Sequence, residues 1–373
     1  MSRRNQAAIV GIGSTEMVRS SDRSLGSFAV EAVRNAIADA GLEAKDIDGY
    51  VGSPGAPNAA ALHADGLDEV SSTFMISALG LDDLNWAMDV EGMPTGMIVA
   101  AAHALAAGTC RYVVAVRAHY NPPDRKYNKT SVDLAAGPSQ FMLPYGYGPA
   151  GTRFALRLKR YMHDHGATRE DLYQIVQASR RHARLNPLAV WRSAPELSLD
   201  AYMNARMIHE PMCLFDSDLP ITAACAIVLT TAERARDLPQ RPAYVASFAN
   251  ANKPLRVFEA VGIGPGDVQV VQLPDGFSMM VWLGLEELGF CDIGQAHRFA
   301  KADQIGPGGV LPVNTFGGSL GEGRLHGMGH VREAVLQATG RAGERQIRDV
   351  RYSLVHVGSP ERFWTVLLSP HPN

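Results

Sequence analysis

The sequence predicts an α/β protein made of two similar βαβ halves with an insertion between them. Three observations carry this expectation. A turn is used twice: Gly-Leu-Glu-Ala-Lys-Asp-Ile-Asp (41–48) leads into a strand at 49–52, and Gly-Ile-Gly-Pro-Gly-Asp-Val (262–268) leads into a strand at 270–273. In each half a glycine-punctuated turn opens an apolar helix, Gly92-Met93-Pro94-Thr95-Gly96 before 97–107 and Gly317-Gly318-Ser319-Leu320-Gly321 before 327–339. Each of these helices leads to an apolar strand, 112–116 in the first half and 352–357 in the second. Strands alternating with helices argue for βαβ units and buried, mostly parallel sheets.

Taken in order, the first element is the apolar run 7–10, which stops at Gly11. Leu25, Phe28, Ala29, Ala32, Val33, Ala36, Ile37 and Ala40 then follow helical spacing, and Gly41 closes that helix. After the strand at 112–116 the character changes. Residues 121–219 are rich in Arg, His, Tyr and Pro, and Thr168-Arg169-Glu170-Asp171 reads as a capping box with Leu172, Ile175, Val176 and Ser179 on one face. Such an insertion on a sheet core is expected to shape a substrate cavity. The organisation read from the chain is an N-terminal half (1–120 with 220–235), an insertion (121–219) and a C-terminal half (236–373).

The chain has 373 residues, 46% of them hydrophobic, enough for a large core. A net charge of −3 lacks the basic footprint of a nucleic-acid binder. The apolar helix at 97–107 is too short to span a bilayer, and the apolar run near the start is too short for a signal-peptide core. These features predict a cytoplasmic protein that engages neither nucleic acid nor membrane. The four cysteines, Cys110, Cys213, Cys225 and Cys291, form no CxxC pair and have no histidine at metal-site spacing, so reduced structural thiols are expected and no metal site. His163 and His165 are two apart and do not share a helix face. Gly11-x-Gly13 lacks the third glycine of a dinucleotide loop.

Several blocks then stand out: Arg117-Ala118-His119-Tyr120-Asn121, Phe141-Met142-Leu143-Pro144-Tyr145-Gly146, Arg180-Arg181-His182-Ala183, Asp275-Gly276-Phe277-Ser278, and above all 311–330, Leu-Pro-Val-Asn-Thr-Phe-Gly-Gly-Ser-Leu-Gly-Glu-Gly-Arg-Leu-His-Gly-Met-Gly-His. With these blocks the chain resembles the thiolase superfamily, in particular the thiolase-like lipid-transfer proteins that include CoA-dependent aldolases cleaving steroid side chains. The resemblance implies a thiolase fold: two duplicated βαβαβ halves forming a layered α-β-α-β-α core.

The departures from that pattern carry chemistry. Where a thiolase has its nucleophilic cysteine, in a Cys-x-Ser-Gly turn, this chain has Met93-Pro94-Thr95-Gly96. The thiolase Gly-His-Pro motif is replaced by Gly323-Arg324-Leu325, and the second cysteine is lost near Val357. Aldolase-type relatives place a tyrosine where Pro274 stands, often a second at Met328, and a histidine at Phe316.

A retro-aldol cleavage of a β-hydroxyacyl-CoA needs a base, donors for the developing thioester enolate and an acid for the α-carbon, but no covalent nucleophile. Lys126, Lys129 and Lys159 sit in polar runs, which argues against a Schiff-base route. His326 and His330 are spaced i, i+4, which predicts one shared helix face beside a glycine-rich helix start able to hold an oxyanion. They are the expected acid–base pair, or else a structural pair, with Asp275 orienting a base or bonding its loop. The resemblance implies a substrate and CoA site around Met93, Gly96, Gly317 and Gly318; Tyr145 lines the cavity or packs at a dimer interface. His182 is expected on a solvated helix face and His103 in the core.

The reading is a retro-aldolase on a bulky acyl-CoA such as a steroid side chain, with the CoA thioester as substrate and no permanently bound cofactor. The alternatives are a degenerate subunit of such a complex and an acyl-CoA or lipid carrier. The resemblance implies a homodimer or a heterodimer with a thiolase-like chain, and a zinc-ribbon/OB-fold partner protein.

Overall fold

The computed structural model describes residues 6–54, 64–90, 92–121, 140–148, 150–251, 253–359 and 362–372. Its strands are β1 (Ala7–Ser14), β2 (Gly49–Gly52), β3 (Trp86–Asp89), β4 (Val113–His119), β5 (Met207–His209), β6 (Met212–Cys213), β7 (Ala223–Thr231), β8 (Ala243–Ala251), β9 (Val270–Gln272), β10 (Ser353–Ser359) and β11 (Arg362–Ser369). The helices of the first half are α1 (Leu25–Asp39), α2 (Ser72–Leu79) and α3 (Pro94–Ala106). Next come α4 (Ala150–His165), α5 (Arg169–Arg184), α6 (Leu199–Met203), α7 (Ala232–Ala235), α8 (Arg256–Glu259) and α9 (Met279–Glu287). The last four are α10 (Ala296–Phe299), α11 (Ala302–Ile305), α12 (Gly318–Gly321) and α13 (Met328–Thr339).

Nine strands form one sheet in the order β3-β2-β4-β7-β1-β8-β11-β10-β9. Outward from the β1–β8 junction, β7-β4-β2 on one side is matched by β11-β10-β9 on the other. The junction itself is short, with Ala8 opposite Tyr244 and Ile9 opposite Ala243.

The expectation of mostly parallel sheets is corrected. Among the strand ladders of the described residues, only β2–β3, β2–β4 and β9–β10 are parallel. The ladders β4–β7, β7–β1, β1–β8, β8–β11 and β11–β10 are antiparallel. Part of the reason lies in the connections: a parallel neighbour needs a long crossover, which α2, α3 and α13 provide, whereas β10 ends at Ser359, paired with Arg362, the first residue of β11.

Alternation along the strands sorts side chains into layers. Ile9, Val113, Ala115, Cys225 and Ile227 pack with Met97, Ile98, Ala101 and Leu105 of α3 and with Val331 and Val335 of α13. Val355, Val357, Val366 and Leu368 of the second half enter the same cluster. The opposite faces turn outward: Ala8, Val10, Val114 and Val228 meet α1, and Leu354 and Leu367 meet α5 and α9. Helices α3 and α13 thus lie between the two half-sheets, with helices covering both outer faces, an α-β-α-β-α stack. This placement explains why α3 is apolar nearly all round.

The glycines after the first strand have a packing role. A Cβ on Gly13 would lie 2.0 Å from the carbonyl oxygen of Ala32, and one on Gly11 2.3 Å from that of Ala36. Helix α1 therefore rests directly on the backbone of β1.

In the insertion, Thr168 caps α5, bonding the Asp171 amide while the Asp171 carboxylate accepts from the Thr168 amide. Two expectations fail here. His182 is buried at 1% exposure, because α5 is covered by α11 and α12, and its ring donates to the Ile305 carbonyl. His103 is exposed although Ala102, Ala104 and Leu105 beside it are buried, since it lies on the outward side of α3, and it tilts against Phe248 at 5.5 Å. Cys110, Cys213 and Cys225 are buried, and Cys291 is half-buried. No helix among the described residues is long and apolar enough to cross a membrane.

Gly13→Ala forces α1 off β1. We expect a loss of about 1–3 kcal/mol in unfolding free energy by urea titration. The cavity described below, built on other elements, should keep its ligand affinity.

Candidate functional site

A cavity of about 260 Å³ opens where the N-termini of α3 and α13 meet the Asp275 loop. Its walls include Met93, Asp275, Ser319, His326 and His330, with α4 contributing Arg153 and Phe154 from the insertion. Met93 and Gly327 are the N-cap residues of α3 and α13, and among the described residues neither helix start carries a side-chain cap. Two positive dipole ends therefore border one cavity, a favourable setting for developing negative charge, while Pro94 has no N–H and the Gly96 and Met328 amides already bond the Met93 and Leu325 carbonyls.

On one wall stands a buried carboxylate. Asp275, 1% exposed, accepts the Ser319 amide at 2.9 Å and the Leu320 amide at 3.4 Å. Its Oδ1 also takes His330 Nε2 at 3.0 Å. The approach requires Gly318, whose φ is +63° and whose Cβ would sit 1.8 Å from Asp275 Oδ2. With Nε2 donating to Asp275, His330 keeps the lone pair on Nδ1, the form of a neutral general base. The edge of Phe316 packs on the same ring at 5.0 Å between centroids.

The other histidine is set quite differently. His326 does not share a helix face with His330; it lies before α13 with φ +47°, in the left-handed region. The i, i+4 expectation is corrected because α13 begins only at Met328, after the left-handed Gly327. The ring of His326 is half-buried and takes a hydrogen bond on Nδ1 from Arg117 Nη2, 2.7 Å away. His119 lies parallel to it at 6.5 Å between centroids. Burial, then Arg117, Arg324 and His119, hold its pKa well below the usual 6.5. His326 is therefore a neutral imidazole, and a hydrogen-bond donor through Nε2 rather than a cationic acid. Arg117 is 2% exposed, and burial followed by Arg324 brings its pKa down to about 10, so it remains a cation at neutral pH. Arg324 stands 3.3 Å from Asp218, and both line the cavity.

Of the residues predicted from sequence, Met93, Asp275, His326 and His330 meet at this cavity. Gly96 lies a turn deeper in α3, where a Cβ would touch Trp364 and Val90 at 3.3 Å. Gly317 and Gly318 shape the turn below the cavity, Gly317 at φ +97° against Ala183. Tyr145, 84% exposed in a short 3-10 turn, is not among the described residues lining the cavity, which corrects its placement there and leaves the alternative of packing at a dimer interface. Lys159 is exposed on α4, while Lys126 and Lys129 lie outside the described residues. Sequence reasoning missed the placement of Arg117 against His326 and of the Arg324–Asp218 pair at the cavity. A charged residue inside the apolar run Val-Val-Ala-Val-Arg-Ala-His was the available signal. Among the described residues no cluster of three His, Cys, Asp or Glu side chains could hold a metal ion.

Residues 231–359 match the family described as Thiolase C-terminal domain-like. The chain is 33% identical to the 17-hydroxy-3-oxo-4-pregnene-20-carboxyl-CoA lyase of Mycobacterium tuberculosis, over 95% of this chain and 96% of that protein. It is also 33% identical to a steroid side-chain-cleaving aldolase of Thermomonospora curvata, over 95% of each. A solved Ltp2-ChsH2(DUF35) aldolase superposes with a TM-score of 0.85 at 33% identity, covering 98% of both chains.

Two outcomes follow from this chemistry. Burial, first among the causes, pushes the thiols of Cys110 and Cys213 up to about 11 and that of Cys291 to about 12, and raises that of Cys225. Iodoacetamide at pH 7.5 should leave the mass of the native protein unchanged, and rapid labelling of any of the four would refute this. His119, His182 and His356 are buried with pKa values below 6.5. A histidine with a depressed folded pKa takes up protons only on unfolding, so its neutral form stops being cost-free below the unfolded pKa. Stability should fall from pH 7.5 to pH 5.5 by about 1 kcal/mol per buried histidine, read from urea unfolding at each pH.

Proposed function

The chain belongs to the thiolase superfamily, in its group of steroid side-chain-cleaving aldolases, and from that membership we propose that it cleaves a β-hydroxyacyl-CoA by a retro-aldol reaction. The observation that carries the proposal is the pairing of a carboxylate-backed base, His330 on Asp275, with a neutral donor, His326, at a cavity bordered by two open helix starts. Met93, at the position of the thiolase nucleophile, cannot form a thioester, and this reaction needs none.

His330 Nδ1 takes the proton of the β-hydroxyl. As that O–H electron pair closes to a carbonyl, the Cα–Cβ bond breaks and its electrons pass into the thioester, giving an enolate and a free ketone. The enolate oxygen is stabilised by His326 Nε2–H and the positive ends of the two helix dipoles, a low-dielectric arrangement of the oxyanion-hole type. The proton held by His330 then returns to Cα, and the acyl-CoA leaves with every atom accounted for. Asp275 stabilises the transient imidazolium.

Phe154, Phe277, Met280 and Val357 make the remaining wall apolar, which favours a bulky hydrocarbon acyl group such as a steroid side chain. Arg153, exposed at the mouth, is suited to the phosphates of CoA. Dependence on an acyl-CoA pool favours a cytoplasmic location. For assembly, β3 is an edge strand whose Ala87, Met88 and Asp89 are exposed, a template for pairing with a second chain. The name Ltp2-ChsH2(DUF35) aldolase supports a heteromeric partner as well.

A second reading, a non-catalytic subunit of such a complex, is favoured by Pro274, Met328 and Phe316 standing where aldolase-type relatives carry tyrosines and a histidine.

His330→Ala separates the two readings. If this chain is catalytic, single-turnover cleavage of a β-hydroxyacyl-CoA by the assembled protein should slow by about 10²–10⁴-fold with the fold retained. An unchanged rate in a folded, assembled variant would sink the catalytic reading. A mass by light scattering equal to one chain at micromolar concentration would sink the pairing through β3.

A further inference from the structure

We propose that Arg117 is a positioning residue that holds His326 as its Nε2–H tautomer and so keeps a hydrogen-bond donor aimed at the reacting oxygen. The inference rests on the reading of His326 as the enolate's donor.

The argument begins with what a guanidinium can do. It has five N–H donors and no acceptor, and it stays charged. Its Nη2 lies 2.7 Å from His326 Nδ1. That nitrogen must therefore carry the lone pair, and a neutral ring has its proton on Nε2. Full protonation is opposed by burial first, then by Arg117 from β4, by Arg324 from its own loop and by His119 from β4. Of the two described carboxylates that line the cavity, Asp218 stands 3.3 Å from Arg324, and Asp275 bonds His330 and the Ser319 and Leu320 amides.

Arg117 is itself held on its other side. Nη1 donates to the Ser53 carbonyl at 3.1 Å, to the Gly92 carbonyl at 3.3 Å and to the Ser53 hydroxyl. Ser53 follows β2, and Gly92 precedes Met93 at the start of α3. One buried side chain on β4 thus ties the end of β2, the turn that opens α3 and the turn that precedes α13. Those last two turns frame the cavity. The left-handed φ of His326 is unfavourable for a non-glycine residue, and the bond to Arg117 helps hold the ring in that conformation.

The test reads the tautomer directly. Protein labelled with ¹⁵N-histidine, in its assembled form, gives long-range imidazole spectra in which the His326 signals are identified by their loss in His326→Gln. Wild type and Arg117→Lys, which keeps a donor, should both show an unprotonated Nδ1 and a protonated Nε2 at pH 7. Arg117→Met, checked for folding by circular dichroism, should show a mixture of tautomers. Its kcat for β-hydroxyacyl-CoA cleavage should fall by about 10²-fold, the effect of losing one oxyanion donor, with KM changed far less and activity recovered in Arg117→Lys. A protonated Nδ1 in the wild type overturns the proposal, and so does an unchanged tautomer in folded Arg117→Met. If Arg117→Met does not fold, the wild-type and Arg117→Lys spectra still decide. The spectra need no substrate, so a protein with the expected tautomer but no cleavage activity would refute the enzyme reading and, with it, the donor's role, leaving only the Arg117-held tautomer standing.

Discussion

A carboxylate at 1% exposure is tolerable only when its oxygens are bonded, and Asp275 obliges a large part of the second half to serve it. It takes the first amides of α12 and the Nε2–H of His330, so it sets both the position of the 317–321 turn and the orientation of a ring on α13. The turn in turn needs glycine at 317 and 318, since Ala183 and the carboxylate itself occupy the space of any side chain. Helix α5 of the insertion closes the arrangement from behind, with Ser179 Oγ donating to the Gly317 carbonyl and Asn186 Nδ2 to that of Phe316. The insertion thus supports the floor of the cavity with α5 and forms part of its wall with α4.

The two histidines at the cavity show how surroundings divide one residue type into two roles. His330 faces a carboxylate, which suits it to the base's part in the proposed reaction. His326 faces guanidiniums, which oppose its protonation, so it can only donate what it already holds. Four residues apart in sequence, they differ because α13 starts between them. His330 is carried by the helix, whereas His326 is held by a strand of the other half through Arg117.

Buried ion pairs stiffen α13 behind the site. Glu322 bonds Arg332 and Asn186, and Glu333 bonds Arg345 and Thr315. Such pairs contribute little net stability against an apolar isostere, but removing one partner leaves a buried charge and costs about 3–5 kcal/mol. Their effect here is positional: they fix the register of α13 against α5 and α12, and hence where His330 stands relative to Asp275.

The sequence by itself determined what depends on near neighbours. The helical spacing of 25–40, the capping box at Thr168 and the repeated glycine turns were legible because periodicity and caps are local. The absence of a thiol at Met93 was legible because it is a matter of identity, and the blocks from Arg117 to His330 carried the family. Only the tertiary structure decided the direction of the strands at the sheet centre, the burial of His182, the exposure of Tyr145 and the separation of His326 from the helix of His330. Each of these depends on a partner distant in the chain, as the 209 residues between Arg117 and His326 illustrate. A side chain's charge and direction are settled by what the fold packs against it, and spacing along the chain carries no record of that.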